Sequence, residues 1–243
     1  MALERRLASP LVTPVLLANR PLLVTNAAGL CVGVAMFVSF LGVSGFVQTP
    51  ASTGYGFSAS VLAASSVYLL PGALFGVVAA PVGGRLVRRF GGRATLLLAT
   101  LVGAAGFVLM AVLHTSSWEL ITGSLLVNGA VSLAFAAMPA LIVAEVPPTQ
   151  TGVANSVNSI ARSVGSSLAS ALVVTLLASD VLDSGVPRES AYVAAFLVGT
   201  GACLLAALLV TFGLPRLPRP DDGEAELEAA TSLAGEWATV GGR

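Results

Sequence analysis

Between Arg20 and Arg85 the chain carries no Asp, Glu, Lys or Arg. A helix needs only ~20 apolar residues to span the ~30 Å hydrocarbon core of a bilayer. Residues 22–84 are therefore too long for one crossing and must cross, turn and cross again before the basic cluster Arg85, Arg88, Arg89 and Arg93. The chain as a whole is 56% hydrophobic and 10% charged, where soluble domains carry roughly 25% charged residues. A polytopic membrane protein follows, and its function has to be read in lipid.

Six apolar stretches can be marked, at Leu22–Val47, Ser60–Gly84, Ala94–Leu113, Trp118–Val143, Val153–Ala178 and Ala191–Leu214. The breaks between them are turn-forming: Gln48–Phe57 holds Pro50 and Gly54, Arg85–Arg93 is a basic loop, and His114–Ser117 is a short polar turn. Glu145–Gln150 holds Pro147 and Pro148, and Asp180–Glu189 holds Pro187. The sequence thus predicts an all-α integral membrane bundle over residues 22–214. Residues 1–21 are expected to be an amphipathic linker at the cytoplasmic surface, and residues 215–243 an acidic disordered tail. Arg5, Arg6, Arg20, the four Arg of 85–93, Arg216 and Arg219 fall on one side, against Arg188 on the other. The positive-inside rule then places both termini in the cytoplasm.

Nothing in the composition marks a nucleic-acid partner. All twelve basic residues are Arg, a usage that suggests a GC-rich bacterial genome. Cys31 and Cys203 lie within apolar stretches, where free Cys packs as a small hydrophobe. No His or Cys cluster predicts a metal, no cofactor motif is present, and no nucleophile–base arrangement predicts catalysis. His114 reads as a lone solvated residue, and Glu119 and Glu145 sit at helix ends where they can reach water.

The turn after the second stretch reads Gly84-Arg-Leu86-Val-Arg88-Arg89-Phe-Gly91-Gly-Arg93. A positive-inside anchor explains its charge but not its spacing. That spacing resembles the Gly-x-Leu-x-Asp-Arg-x-Gly-Arg-Arg loop signature of the major facilitator superfamily, with Arg88 standing where the family has Asp. Asn19-Arg20-Pro21, the Gly54–Ser58 turn, Pro71 and Ala80-Pro81 also resemble that family in order along the chain. Val146-Pro147-Pro148, Thr151–Asn155, Asn158, Arg162 and Gly165 are similar to the next-to-last helix of drug/proton antiporters.

The resemblance covers about residues 15–214 and concerns the C-terminal six-helix half of such a transporter. It implies 3+3 inverted repeats and export of small amphipathic compounds across a bacterial inner membrane. It also implies a matching six- or eight-helix half: upstream in the same polypeptide, on a separate chain, or as a second copy. No acidic residue lies near mid-membrane here, so proton coupling is expected to reside on that other half. A transport-inactive truncated or partner-binding membrane protein and a homodimeric half-transporter are the alternative readings, and Arg88 in place of Asp favours the former.

Asn155, Asn158 and Arg162 lie three and four residues apart on the fifth stretch, hence on one helix face, continued by Ser166 and Ser170. A charge so deep costs at least ~2.5 kcal/mol unless it meets water or a partner. Arg162 therefore either faces a cavity and attracts an anion or a carboxylate, or snorkels to the interface. Asn26 and Gln48 on the first stretch, and Asn128 and Ser132 on the fourth, are further cavity candidates. Each can equally serve as interhelical glue. Gly29-x-x-x-Gly33 and Gly72-x-x-x-Gly76 predict close helix approach.

Overall fold

A computed structural model describes residues 19–214. The acidic tail and most of the N-terminal linker lie outside the described residues. Five continuous helical stretches are long and apolar enough to cross a membrane. The stretch Val61–Val112 has 52 residues, ~78 Å at 1.5 Å per residue, more than twice the hydrocarbon thickness. Gly91 breaks it, at φ 81° and ψ 163°, a conformation open essentially to Gly alone. We therefore number the helices α1 (Arg20–Gln48), α2 (residues 61–90), α3 (residues 92–112), α4 (Ser117–Glu145), α5 (Thr151–Ser179) and α6 (Glu189–Gly213). Each of the six apolar stretches lies on one of them.

The expected Arg85–Arg93 loop is shorter than its sequence suggests. α2 stays helical through Phe90, and the chain reverses at Gly91 alone. Arg, Leu and Val are compatible with a helix, so only the residue with the forbidden φ has to leave it. α2 begins under a Ser60 cap, whose side chain accepts from the Ala63 N–H. It widens to a π-turn at Ala64–Leu69 directly before Pro71, where the ring removes a backbone donor.

Alternate turns lie at opposite ends of the bundle. At the Gly91 end, Asn19 donates to Glu145 (3.4 Å), Arg20 Nη2 donates to the Phe212 carbonyl (3.3 Å), and Arg93 donates to the Val210 and Thr211 carbonyls (3.3 and 2.7 Å). Two arginines thus cap the orphan carbonyls that end α6. At the other end, the Tyr55 hydroxyl donates to the Pro187 carbonyl, and Thr49 and Tyr192 share a 3.1 Å hydrogen bond. Phe46, fully buried, gathers Tyr55, Phe57, Tyr192 and Phe196 around it.

His114 is not solvated. It is 9% exposed, edge-on to Phe46, with Nδ1 3.1 Å from the Met110 carbonyl and Nε2 2.6 Å from Glu189 Oε1. The carbonyl can only accept, so Nδ1 carries a hydrogen. The fold brings Glu189 across 75 residues to make this pair, which no local pattern announces.

The packing follows a repeat. α1 packs on α5 and α6, and α4 packs on α2 and α3; exchanging α1–α3 with α4–α6 reproduces the same pairs. That is the pattern of a 3+3 arrangement. α3 and α6 meet at the centre, where Phe107 lies against Gly199 and Cys203 against Gly103.

Candidate functional site

The α1–α5 contact sets the site. A Cβ on Gly33 would lie 2.1 Å from the Arg162 carbonyl oxygen, and one on Gly165 2.0 Å from the Leu30 carbonyl oxygen. The two backbones therefore touch where Gly supplies no side chain. Across this seam, Asn158 Nδ2 donates to the Thr25 carbonyl (3.2 Å) and to Asn26 Oδ1 (3.1 Å), and the Ser166 hydroxyl donates to the Gly33 carbonyl (3.3 Å). Asn158 is 1% exposed, so its amide is spent on holding helices. Its remaining oxygen accepts from Arg162 Nη1.

Arg162 stands ~17 Å along α5 from Thr151. Its guanidinium reaches back one turn to Asn158 and lies over the Phe135 ring of α4, 4.8 Å from the centroid. The cation–π contact contributes about 0.5–2 kcal/mol. Among the described residues no carboxylate pairs with it; the two ion pairs, His114–Glu189 and Arg188–Asp180, lie at the far end of the bundle.

The guanidinium opens on a groove of about 590 Å³ between α1, α4 and α5, lined by Met36, Phe37, Phe135 and the hydroxyls of Ser159, Ser163 and Ser167. A second lobe of about 490 Å³ shares Met36 and Phe37 and continues past Phe40, Leu69, Leu70 and Val131. The whole is a surface with one polar, cationic end and one apolar, aromatic end. Drug-sized ligands occupy clefts of roughly 300–1,000 Å³ with such linings.

The structure separates the candidates that sequence spacing placed together. Asn26, Asn158 and Arg162 form one hydrogen-bonded chain. Asn155, half-buried, donates to its own helix at the Thr151 carbonyl (3.0 Å). Asn128 donates to the Ser124 carbonyl (2.9 Å) and borders the apolar lobe. Asn128 and Ser132 both face the Gly72 and Gly76 side of α2. Gln48 lies at the opposite end of α1, donating to the Ser44 carbonyl (2.8 Å), away from the groove. Of the loop motif, Arg88 and Arg89 are exposed, Gly84 and Leu86 half-buried, Gly91 makes the turn and Arg93 caps α6.

Phe135 and the row Ser159, Ser163, Ser167 were not singled out from the sequence. The row has a four-residue period that could have been read as a polar stripe. Phe135 carries no such signal, because its role arises from α4 meeting α5. Among the described residues no group of three His, Cys, Asp or Glu could hold a metal.

Comparison with known proteins agrees with this architecture. The profile of the Major Facilitator Superfamily matches residues 30–242. A tetracenomycin C resistance and export protein of Streptomyces glaucescens is 32% identical over 182 residues, covering 74% of this chain and 32% of the relative. The chain thus spans about a third of the length of that curated relative. With six apolar helices paired as 3+3 and a family match over most of its length, the chain belongs to the Major Facilitator Superfamily, a family of multi-pass membrane transporters.

Proposed function

We propose that the chain is the C-terminal six-helix half of an exporter of small amphipathic compounds, and that the α1–α4–α5 groove is its wall of the transport cavity. The carrying observation is the character of α5. It buries only Ala154, Asn158, Gly165, Ser166, Ala169 and Val173, yet presents Arg162 and a row of serines outward. Facing lipid, an Arg and several hydroxyls would be costly; facing water or a second bundle they are satisfied. The similarity to a tetracenomycin C export protein, of which the chain spans about a third, supports the same reading.

In this scheme a second bundle closes over the groove, and the two rock against each other about it. That bundle lies upstream in the same polypeptide, on a separate chain, or on a second copy. The Gly91 end, which holds Arg20, Arg85, Arg88, Arg89 and Arg93, faces the cytoplasm of a bacterium by the positive-inside rule. Proton coupling belongs to the second bundle, because among the described residues no carboxylate reaches the groove.

The test is accumulation of a fluorescent drug in a sensitive bacterial host expressing the transporter that contains this chain. Ser163→Trp, which fills the groove from an exposed position, should abolish export while leaving the amount of protein in the membrane unchanged. Undiminished export by that variant would overturn the reading.

A further inference from the structure

We propose that the groove selects weak organic acids: a flat aromatic body carrying one ionised carboxylate or phenolate, seated with its anionic group on Arg162. This rests on the groove being the transport cavity, and it adds which compounds enter it.

A guanidinium has five N–H donors in a planar fork. Asn158 Oδ1 engages Nη1, and among the described residues no other acceptor engages the group. The positive charge is likewise unpaired by any carboxylate among the described residues. A carboxylate or phenolate at this point satisfies the remaining donors and neutralises the charge. A lipophilic cation meets repulsion at the same place.

The neighbouring hydroxyls sharpen the choice. Ser163 and Ser167 each donate to the backbone carbonyl one turn back, at Ser159 and Ser163 respectively (both 3.1 Å). Their hydrogens are committed, so each presents oxygen lone pairs to the groove. Hydroxyl donors on the ligand are matched there. Beyond Met36 and Phe37 the lining turns largely apolar, with Phe40, Leu69 and Leu70 beside the neutral polar groups Ser39, Ser65 and Asn128, and suits a planar ring system. The ligand class is therefore acidic at one end, hydroxylated along one edge and aromatic at the other end.

A matched trio tests the claim: anthracene-2-carboxylate, its carboxamide and its aminomethyl cation, measured by fluorescence anisotropy against the purified transporter that contains this chain, in an uncharged detergent. The carboxylate should bind at least tenfold more tightly than the amide, with the cation weakest. Arg162→Gln should erase the difference, Arg162→Lys should retain a preference for the acid, and Ser163→Trp should remove binding of all three. Retained helical circular dichroism shows that each variant is folded.

Equal binding of acid and amide, with both lost in Ser163→Trp, would overturn the acid preference and leave the cavity intact. Binding indifferent to Ser163→Trp, or no binding of any of the three, would overturn both. An anionic lipid headgroup shares the chemistry of the acid. Repeating the titration in phosphatidylcholine nanodiscs with and without phosphatidylglycerol separates the two. Displacement of the carboxylate by phosphatidylglycerol would reassign Arg162 to lipid and overturn the proposal; unchanged affinity is the expected result.

Discussion

Replacing Gly165 by Ala tests the seam on which the groove depends. The added methyl would sit 2.0 Å from the Leu30 carbonyl oxygen and 2.9 Å from its carbon. An ordinary C···O contact needs roughly 3.3 Å, so α1 and α5 would have to part by about 1.3 Å. Both partners are helix backbone, and no side chain can rotate away to make room. Overpacking of this kind costs about 1–3 kcal/mol. The parting also stretches the Asn158–Thr25 and Ser166–Gly33 hydrogen bonds, already 3.2 and 3.3 Å, beyond useful length. Interhelical hydrogen bonds in membranes are worth ~0.6 kcal/mol each, and the total comes to about 3 kcal/mol. At roughly 2–4 °C per kcal/mol for a chain of this size, the melting temperature in mild detergent should fall by roughly 6–12 °C. Gly201→Ala is the control: it lies in α6 with nothing within 4 Å of the new methyl, and Ala is the better helix former by ~1 kcal/mol. It should leave stability unchanged or raise it. If Gly165→Ala melts alongside Gly201→Ala, the α1–α5 contact is not as tight as described and the geometry around Arg162 loses its foundation.

Other outcomes follow from single sites. Gly91→Ala should destabilise by about 1–3 kcal/mol, because a methyl at φ 81° is strained even in open space; Gly84→Ala in the preceding helix should not, and thermal melts of the pair compare the two. His114→Ala removes the partner of Glu189 and the bond to the Met110 carbonyl, and should cost about 1–3 kcal/mol, read as a lower melting temperature. Burial pushes the Tyr55 phenol above its ordinary value of 10.0. The folded state then holds this proton more tightly than the unfolded state, so its contribution is intact below pH 10 and declines as pH rises through the folded value. Tyr55→Phe should show a smaller alkaline loss of stability in melts across that range; an identical loss would contradict the assignment.

The crossings were legible because lipid punishes charge and unpaired backbone so heavily that the pattern of Arg and apolar residues leaves few solutions. The Gly-x-x-x-Gly spacings likewise announced close approach, and Gly33 meets the Arg162 backbone as that spacing implies. Helical period alone was a poorer guide to the site. It set Asn155, Asn158 and Arg162 on one face, while in the fold the first turns inward on its own helix, the second is buried against α1, and the third looks into the groove. Period says which side chains point the same way, not what stands opposite them.

The chain alone therefore determined the number of apolar helices and their places, since these depend on the solvent each residue meets. Only the tertiary structure decided that Phe135 underlies Arg162, that His114 finds Glu189, and that Gln48 lies apart from the groove. Each of those facts depends on contacts between helices distant in sequence. Such contacts are set by how small residues let backbones approach, and a local pattern contains no record of which helix will be the neighbour.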